Sequence, residues 1–127
     1  MSDAVTKKQI KPKDHPPLPA SVKIGSQIWS LSEQDRKTAY DDEVYGFTND
    51  REYVIVIDAG MAFGVKRTTL LHEILHAIRF TFGGSFKPAK STEYLDWEHY
   101  FIGLYEEPLI MVLRDNPEVL AYLMAGE

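Results

Sequence analysis

The centre of the chain carries two histidines and a glutamate at a spacing that can bind and use a metal ion. The run His72-Glu73-Ile74-Leu75-His76 matches the pattern HExxH, in which two imidazoles four positions apart lie on one face of a helix. Both imidazoles can then reach one zinc ion, while the neighbouring carboxylate can act as general base on a water molecule. We therefore predict His72 and His76 as Zn²⁺ ligands and Glu73 as the catalytic base.

A catalytic zinc site needs a third protein ligand, and the sequence leaves its identity open. The residues after His76 lack the third histidine of the metzincin extension, so the ligand should come from the next predicted helix. We favour Glu98, because apolar residues three, four and seven positions away place it beside a predicted buried stripe. His99 is the alternative, since imidazole is an ordinary zinc ligand. Other side chains of this region that can bind zinc are Glu93, Asp96, Glu106 and Glu107.

The chemistry expected of such a site is hydrolysis of a peptide bond. Glu73 would take a proton from the attacking water and later protonate the leaving amine. A hydrogen-bond donor for the developing oxyanion is also needed, and no pattern in the sequence selects one. The candidates for this donor are Tyr94, Tyr100, Tyr105, His99 and Arg79.

The element that must position these groups is a helix predicted over residues 67–82. Thr68 or Thr69 lies near its start, and Gly83-Gly84 closes it. Apolar residues recur at helical spacing and predict a core stripe with the histidines at its edge. The stripe consists of Leu71, Leu75, Ile78 and Phe82, widened by Leu70, Ile74 and Ala77.

Strands are predicted before this helix and further helices after it. Alternating apolar residues predict a strand near residues 22–31 with a bend at Gly25. Residues 44–47 and 53–57 predict a hairpin, with turn chemistry at residues 47–50. The second helix should begin near Thr92 or Glu93 and show a kink or a break at Pro108. A short last helix, residues 119–124, should follow Asn116 as N-cap and Pro117 as first helical residue. The expected fold is α+β, a small antiparallel sheet or hairpin packed on the HExxH helix.

Composition narrows the classes of protein further. The 127 residues suit one domain, predicted over residues 21–127 after a disordered, Pro- and Lys-rich leader at residues 1–20 in which His15 has no role. The absence of Cys excludes disulfides and thiolate zinc sites. No apolar run could span a membrane or serve as a signal peptide, so we expect a cytoplasmic protein. The net charge of -5 argues against a nucleic-acid partner, and nothing in the chain indicates its oligomeric state.

The residues around the motif resemble a known group of proteins. A hairpin ending in Ile-x-Ile-Asp, followed by Thr69-Leu70-Leu71-His72-Glu73-Ile74-Leu75-His76-Ala77, looks like the small zincin-like metallopeptidases of bacteriophage and prophage genomes. The ending Leu113-Arg114-Asp115-Asn116-Pro117-Glu118 resembles the tails of those proteins. The layout of an HExxH helix and a later helix carrying Glu is more distantly similar to the ImmA/IrrE gluzincins. The resemblance covers about residues 22–124.

The resemblance implies a minimal zincin-like fold, with His72 and His76 as ligands, Glu73 as base and a downstream Glu as third ligand. It also implies action in the cytoplasm of a bacterial host. The chain lacks the Glu-x-x-Ala-Asn motif of the ImmA group, because His99-Tyr100-Phe101 follows Glu98. SprT-like proteases carry a later His, which would suit His99, although a chain without Cys cannot form their usual zinc ribbon.

Two functions follow from these patterns. The first is a zinc metallopeptidase, a hydrolase acting on a protein or peptide. The second is a non-enzymatic, zinc-containing module of phage origin that binds or regulates a protein. A DNA-associated factor that uses the Lys-rich leader is a weaker third hypothesis. A catalytic zinc site keeps one position open to water, whereas a structural site is closed by four protein ligands, so the two leading functions differ in an observable way.

Overall fold

The computed structural model describes residues 15–35, 45–83 and 94–126, with the backbone alone for residues 94–96. Within these residues, four strands and three helices form an α+β domain, which confirms the predicted fold class. The strands are β1 (Ser21–Ile24), β2 (Gln27–Gln34), β3 (Gly46–Asn49) and β4 (Val54–Asp58). The helices are α1 (Phe63–Ile78), α2 (Tyr94–Asp115) and α3 (Pro117–Met124), with a π-helical segment, Arg79–Gly83, directly after α1.

The sheet has the strand order β1-β2-β4-β3 and is mixed. The pairs β1–β2 and β3–β4 are antiparallel, as in the predicted sheet. The central strands β2 and β4 run parallel, so the sheet is not the purely antiparallel one that was predicted. The single bent strand predicted near residues 22–31 is a hairpin of β1 and β2. Gly25 has a φ of 65° in its tight turn, a left-handed conformation that glycine adopts without steric cost.

The hairpin of β3 and β4 is confirmed, but its turn lies later than predicted. Residues 47 and 48 belong to the strand, where Phe47 pairs with Val56. The turn follows Asn49, whose Oδ1 accepts hydrogen bonds from the backbone N–H groups of Arg51 (3.0 Å) and Glu52 (3.2 Å). This Asx-type turn lengthens β3, so Thr48 lies in the strand and its side chain faces α1.

Helix α1 packs its buried face on the sheet, but the face differs from the predicted stripe. The helix begins after Ala62 as N-cap, so Thr68 and Thr69 lie inside it. Leu70, Ile74 and Ala77 form the centre of the buried face, whereas Phe82 is 43% exposed. The buried face also carries the polar residues Lys66 and Glu73, which an apolar pattern cannot reveal.

Each of these buried polar residues of α1 has a partner from the sheet. The Lys66 ammonium forms an ion pair of 3.0 Å with Glu33 of β2. The Glu73 carboxylate accepts a hydrogen bond from Thr48 of β3. Burial of a charged group without a partner would be costly, so these contacts allow the helix to turn its polar residues toward the strands.

The C-terminal helices differ from the prediction at one proline and agree with it at another. A kink or a break was predicted at Pro108. The break is wrong, because helix α2 continues through this residue. The proline removes one backbone hydrogen bond from the helix, and Glu106 and Glu107 beside it are exposed. The start of α3, with Asn116 as N-cap and Pro117 next, is confirmed.

Asn116 does not cap α3 with its side chain. Its buried amide accepts a hydrogen bond from the Lys23 N–H (2.7 Å) and donates to the Lys23 carbonyl (2.8 Å). The amide also donates to the carbonyl of Val112 (2.8 Å). This one side chain therefore fastens both C-terminal helices to the edge strand β1.

The predicted leader is described only in part, because residues 1–14 lie outside the described residues. The ring of His15 stacks on Phe63 at a centroid distance of 4.2 Å, and Leu18 packs against the core. His15 therefore has a packing contact. Among the described helices, none combines the length and the apolar character that crossing a bilayer would require.

Tyr122 on α3 makes the stability of the domain sensitive to alkaline pH. Its side chain is fully buried against Phe63, and its hydroxyl has no hydrogen-bond partner among the described residues. Burial, helped by the Glu33 carboxylate, raises the Tyr122 pKa from 10.0 to about 12. The folded state thus favours the neutral phenol. Its contribution to stability is complete below about pH 10 and is lost as the pH rises toward about 12.

We expect Tyr122→Phe to reduce the fall in unfolding free energy between about pH 9 and about pH 12 by up to about 2 kcal/mol. Urea denaturation of the wild type and the variant at several pH values measures this difference. Identical pH dependence in the two proteins would contradict the assignment.

Candidate active site

The two histidines of the motif lie on the exposed side of α1 with their ring nitrogens close together. The Nε2 atoms of His72 and His76 are 3.2 Å apart, and the rings meet edge to face at 70°. Zinc–nitrogen bonds of about 2.0–2.1 Å at a tetrahedral angle separate two ligand nitrogens by about 3.3 Å. The pair therefore has the spacing of two ligands that share one zinc ion.

Glu73 lies between the histidine pair and the sheet and is only 5% exposed. The Thr48 hydroxyl donates a hydrogen bond of 2.6 Å to Glu73 Oε1. The same hydroxyl oxygen lies 3.1 Å from the Glu73 carbonyl oxygen, and because it carries one hydrogen we assign the donation to the closer carboxylate. Thr48 thus holds one carboxylate oxygen, and the other, Oε2, has no hydrogen-bond partner among the described residues.

A cleft runs beside these residues, between β3 and α1. It consists of two adjoining cavities of about 530 and 420 Å³ that share Gly46, His72 and Glu73. The first cavity, which we call the apolar arm, is also lined by Tyr45, Gly64, Val65, Thr68 and Thr69. The second, the polar arm, is also lined by Phe47, Thr48, Asp50, His76, Arg79 and Phe80. The histidine pair and the carboxylate therefore lie at the middle of one continuous cleft.

One wall of the cleft is β3, the edge strand of the sheet, and the outer side of this strand pairs with no other described strand. The Asp58 N–H donates to the Tyr45 carbonyl (2.8 Å), so residues 45, 47 and 49 form the hydrogen-bonded pairs with β4. Gly46 and Thr48 consequently direct their N–H and C=O groups away from β4. In the described part of the chain no further strand covers this edge, which can therefore pair with an extended peptide.

Gly46 allows β3 to lie close to α1. A Cβ atom at this position would lie 2.7 Å from the Val56 carbonyl oxygen and 3.0 Å from Thr69 Cγ2. Both distances are shorter than ordinary van der Waals contacts, and the first involves backbone, which cannot easily move. The absence of a side chain thus brings Thr48, two residues later on the same face of the strand, within reach of Glu73.

The predicted third ligands are not brought to the histidine pair. Glu98 and His99 are exposed on α2, and neither is among the residues that line the cleft. The facing argument for Glu98 relied on a buried Ile102, which is 52% exposed. Within residues 15–35, 45–83 and 97–126, no three His, Asp or Glu side chains are grouped so that they could hold a metal. Glu98 and His99 therefore stay predictions.

The remaining candidates for the third ligand do not line the cleft in the described part of the chain. Glu106 and Glu107 are exposed on α2. Glu93 lies outside the described residues, and the side chain of Asp96 is not described. Asp50 is a carboxylate of the cleft that the sequence patterns did not indicate.

Among the candidate oxyanion donors, Arg79 lines the polar arm. Tyr105 lies near Arg79 rather than in the cleft: burial raises the Tyr105 pKa, and the nearby guanidinium partly opposes this rise. The sequence patterns missed Thr48, because residues 47–50 were assigned to a turn. The alternation of residues in a longer β3 would have been the signal to find Thr48. The patterns placed Gly46 in a strand but missed its role, which depends on the long-range contact with α1.

No protein-family model, curated protein or solved structure matches this chain. The resemblance to zincin-like metallopeptidases therefore stays a prediction, and the geometry of the cleft must support the function by itself.

Gly46→Ala tests the close approach of β3 to α1. We expect a loss of about 1–3 kcal/mol in unfolding free energy, because the added methyl group displaces the strand from the helix. Gly64→Ala is the matched control, since a Cβ atom there meets nothing within 4 Å and alanine favours a helix. Chemical denaturation measures both variants, and equal stability of Gly46→Ala and the wild type would contradict the packing argument.

Proposed function

We propose that the protein is a zinc-dependent peptidase that cleaves an extended peptide bound in the cleft beside β3. The observation that carries this proposal is the 3.2 Å separation of the His72 and His76 Nε2 atoms next to a buried carboxylate. A zinc ion held there would polarise the carbonyl of the scissile bond and make a water molecule more acidic. These are the requirements of peptide hydrolysis at neutral pH.

The residues of the chain would divide the remaining work. The bond from Thr48 to Oε1 fixes the plane of the Glu73 carboxylate, so its other oxygen is left to receive the proton of the attacking water. Glu73 then delivers a proton to the leaving amine. Because the carboxylate is almost fully buried, its position changes little when substrate enters the cleft.

The edge of β3 supplies a means of holding the substrate. An extended peptide can bond to the outward N–H and C=O groups of Gly46 and Thr48, as a further strand of the sheet. These two residues also line the cleft beside Glu73. Backbone pairing would therefore place a peptide bond next to the proposed base whatever the side chains of the substrate.

A second function is a module that binds a protein and contains zinc but does not hydrolyse peptides. The observation that favours it is the lack of a third ligand within the described residues. An incomplete ligand set would weaken the metal site and its chemistry. The same 3.2 Å separation also suits a direct N–H···N hydrogen bond between the histidines, which requires no metal at all.

Metal analysis separates these possibilities. We expect about one zinc ion per chain in the wild type, and a loss of affinity of more than about 100-fold in His72→Ala and His76→Ala, because each removes a ligand. His15→Ala is the matched control, since its ring stacks on Phe63 instead of lining the cleft. The variants Glu98→Ala and His99→Ala identify the third ligand. A wild type without zinc, or His72→Ala with undiminished zinc, would refute the site.

The role of Glu73 is tested by hydrolysis of a peptide library, read by mass spectrometry. Glu73→Gln should keep zinc and lower kcat by about 10²- to 10⁴-fold, because the amide cannot accept the proton. Full activity in this variant would refute the base. Zinc binding without any hydrolysis by the wild type would instead support the non-enzymatic module.

Thr48 offers a finer test of the same site. Thr48→Val keeps the shape of the side chain but removes the hydrogen bond to Glu73, so we expect kcat to fall about tenfold with little change in KM. Thr48→Ser retains the hydroxyl and should keep most of the activity. Equal kcat in the valine and serine variants would show that the hydrogen bond does not position the base.

A further inference from the structure

Arg79 occupies a defined place in the polar arm of the cleft. It lies three positions after His76, so its side chain leaves the helix on the same side as the histidine pair. Its backbone N–H still bonds to the carbonyls of Leu75 and His76, although the π-helical segment begins at this residue. The guanidinium therefore extends from backbone that is held by the end of α1.

The π-helical segment is itself packed against the domain. The ring of Phe80 meets Trp29 edge to face at a centroid distance of 6.2 Å. At the other end of the segment, Gly83 lies so close to Leu104 of α2 that a Cβ atom would meet its Cδ1 at 3.3 Å. These contacts on both sides of the segment fix the point from which Arg79 enters the cleft.

The charge of Arg79 is not neutralised by an ion pair in the described part of the chain. The ion pairs found there join Lys66 to Glu33 and Arg114 to Asp115. Asp50 lines the same arm but forms no ion pair with Arg79. An unpaired guanidinium in a binding cleft presents several N–H donors in a planar fork, a geometry that matches a carboxylate.

We propose that Arg79 forms a subsite that binds a carboxylate of the peptide substrate, a proposal that rests on the peptidase function of the cleft. Along the axis of α1, Arg79 lies about 5 Å, nearly one helical turn, beyond His76. An extended peptide advances about 3.3 Å per residue. The carboxylate therefore belongs to a residue one or two positions from the scissile bond.

The direction of the peptide decides which carboxylate reaches Arg79. Strand β3 and helix α1 run the same way, with Tyr45 and Val65 at one end of the cleft and Asp50 and Arg79 at the other. A peptide antiparallel to β3 would bring an acidic side chain on the amino side of the scissile bond to Arg79. A parallel peptide would bring there an acidic side chain on the carboxyl side of the scissile bond or its own terminal carboxylate. The chemistry at the guanidinium is the same in both cases.

The rest of the cleft is consistent with this selectivity. The apolar arm, with Val65 and Tyr45, suits an uncharged side chain at the opposite end of the peptide. Besides Glu73, the polar arm is lined by the acidic residue Asp50, which opposes a carboxylate because like charges repel. Its removal should therefore strengthen the binding of acidic peptides.

The test measures binding of fluorescent peptides to full-length, zinc-loaded Glu73→Gln protein, in which the peptides stay intact. Three peptides share an apolar sequence. One carries an Asp and an amidated C-terminus, one is neutral with a free C-terminus, and one is neutral and amidated. We expect one of the first two to bind about three- to tenfold more tightly than the third, and Arg79→Gln to abolish this preference. The preferred peptide reports whether the carboxylate comes from a side chain or from the C-terminus.

Two further variants sharpen the result. Arg51→Gln, which removes an exposed arginine that does not line the cleft, should leave the preference unchanged, and Asp50→Asn should increase it. Equal binding of the three peptides to the Glu73→Gln protein, or an equal loss for all three in Arg79→Gln, would overturn the subsite.

Measurements of turnover distinguish a carboxylate subsite at Arg79 from an oxyanion role of the same residue. They also test the subsite separately from the peptidase function. With Glu73 restored, Arg79→Gln should raise KM for the preferred peptide alone. An oxyanion donor would instead lower kcat for every peptide, and that outcome would refute the subsite. Arg79-dependent binding without turnover by the wild type would support the carboxylate subsite while refuting the peptidase. Turnover without a carboxylate preference would refute only the subsite.

Discussion

The hydrogen bond from Thr48 to Glu73 is the contact on which the arrangement of the cleft depends. The HExxH spacing turns the two histidines to one side of α1 and Glu73 toward the sheet, where it is 5% exposed. A carboxylate at that depth is stable only with a donor beside it. Thr48 supplies this donor because β3 lies close to the helix, and Gly46 allows the approach. The position of the edge strand β3, which forms one wall of the cleft, follows from that packing.

Features governed by short stretches of chain could be predicted from the sequence. The spacing of His72 and His76 determines that their rings lie together on a helix, and the structure places their Nε2 atoms 3.2 Å apart. The hairpin of β3 and β4, apart from the exact place of its turn, and the start of α3 at Asn116 and Pro117 depend on equally local patterns. In each case the backbone geometry of one element is sufficient to bring the residues together.

Features that depend on how elements pack together could not be predicted in this way. The choice of Glu98 as third ligand assumed the rotation of α2 about its axis, and the exposure of Ile102 shows that this helix buries a different face. Lys66 lies on the buried side of α1 because Glu33, far away in the sequence, pairs with it. An apolar pattern places such a lysine at the surface. Long-range partners of this kind set the rotation of each helix, and one sequence does not reveal them.

The supply of ligands in the chain bears on whether a metal held here would be catalytic or structural. The chain has no Cys and four His, of which His72 and His76 form the pair and His15 stacks on Phe63. A closed, four-ligand site would need two more His or carboxylate ligands at the pair, and the described residues place none there. A site completed by a single further ligand would keep its fourth position open beside Glu73. The number of ligands that complete the pair therefore decides between the two kinds of site, because only a single further ligand leaves a position for water.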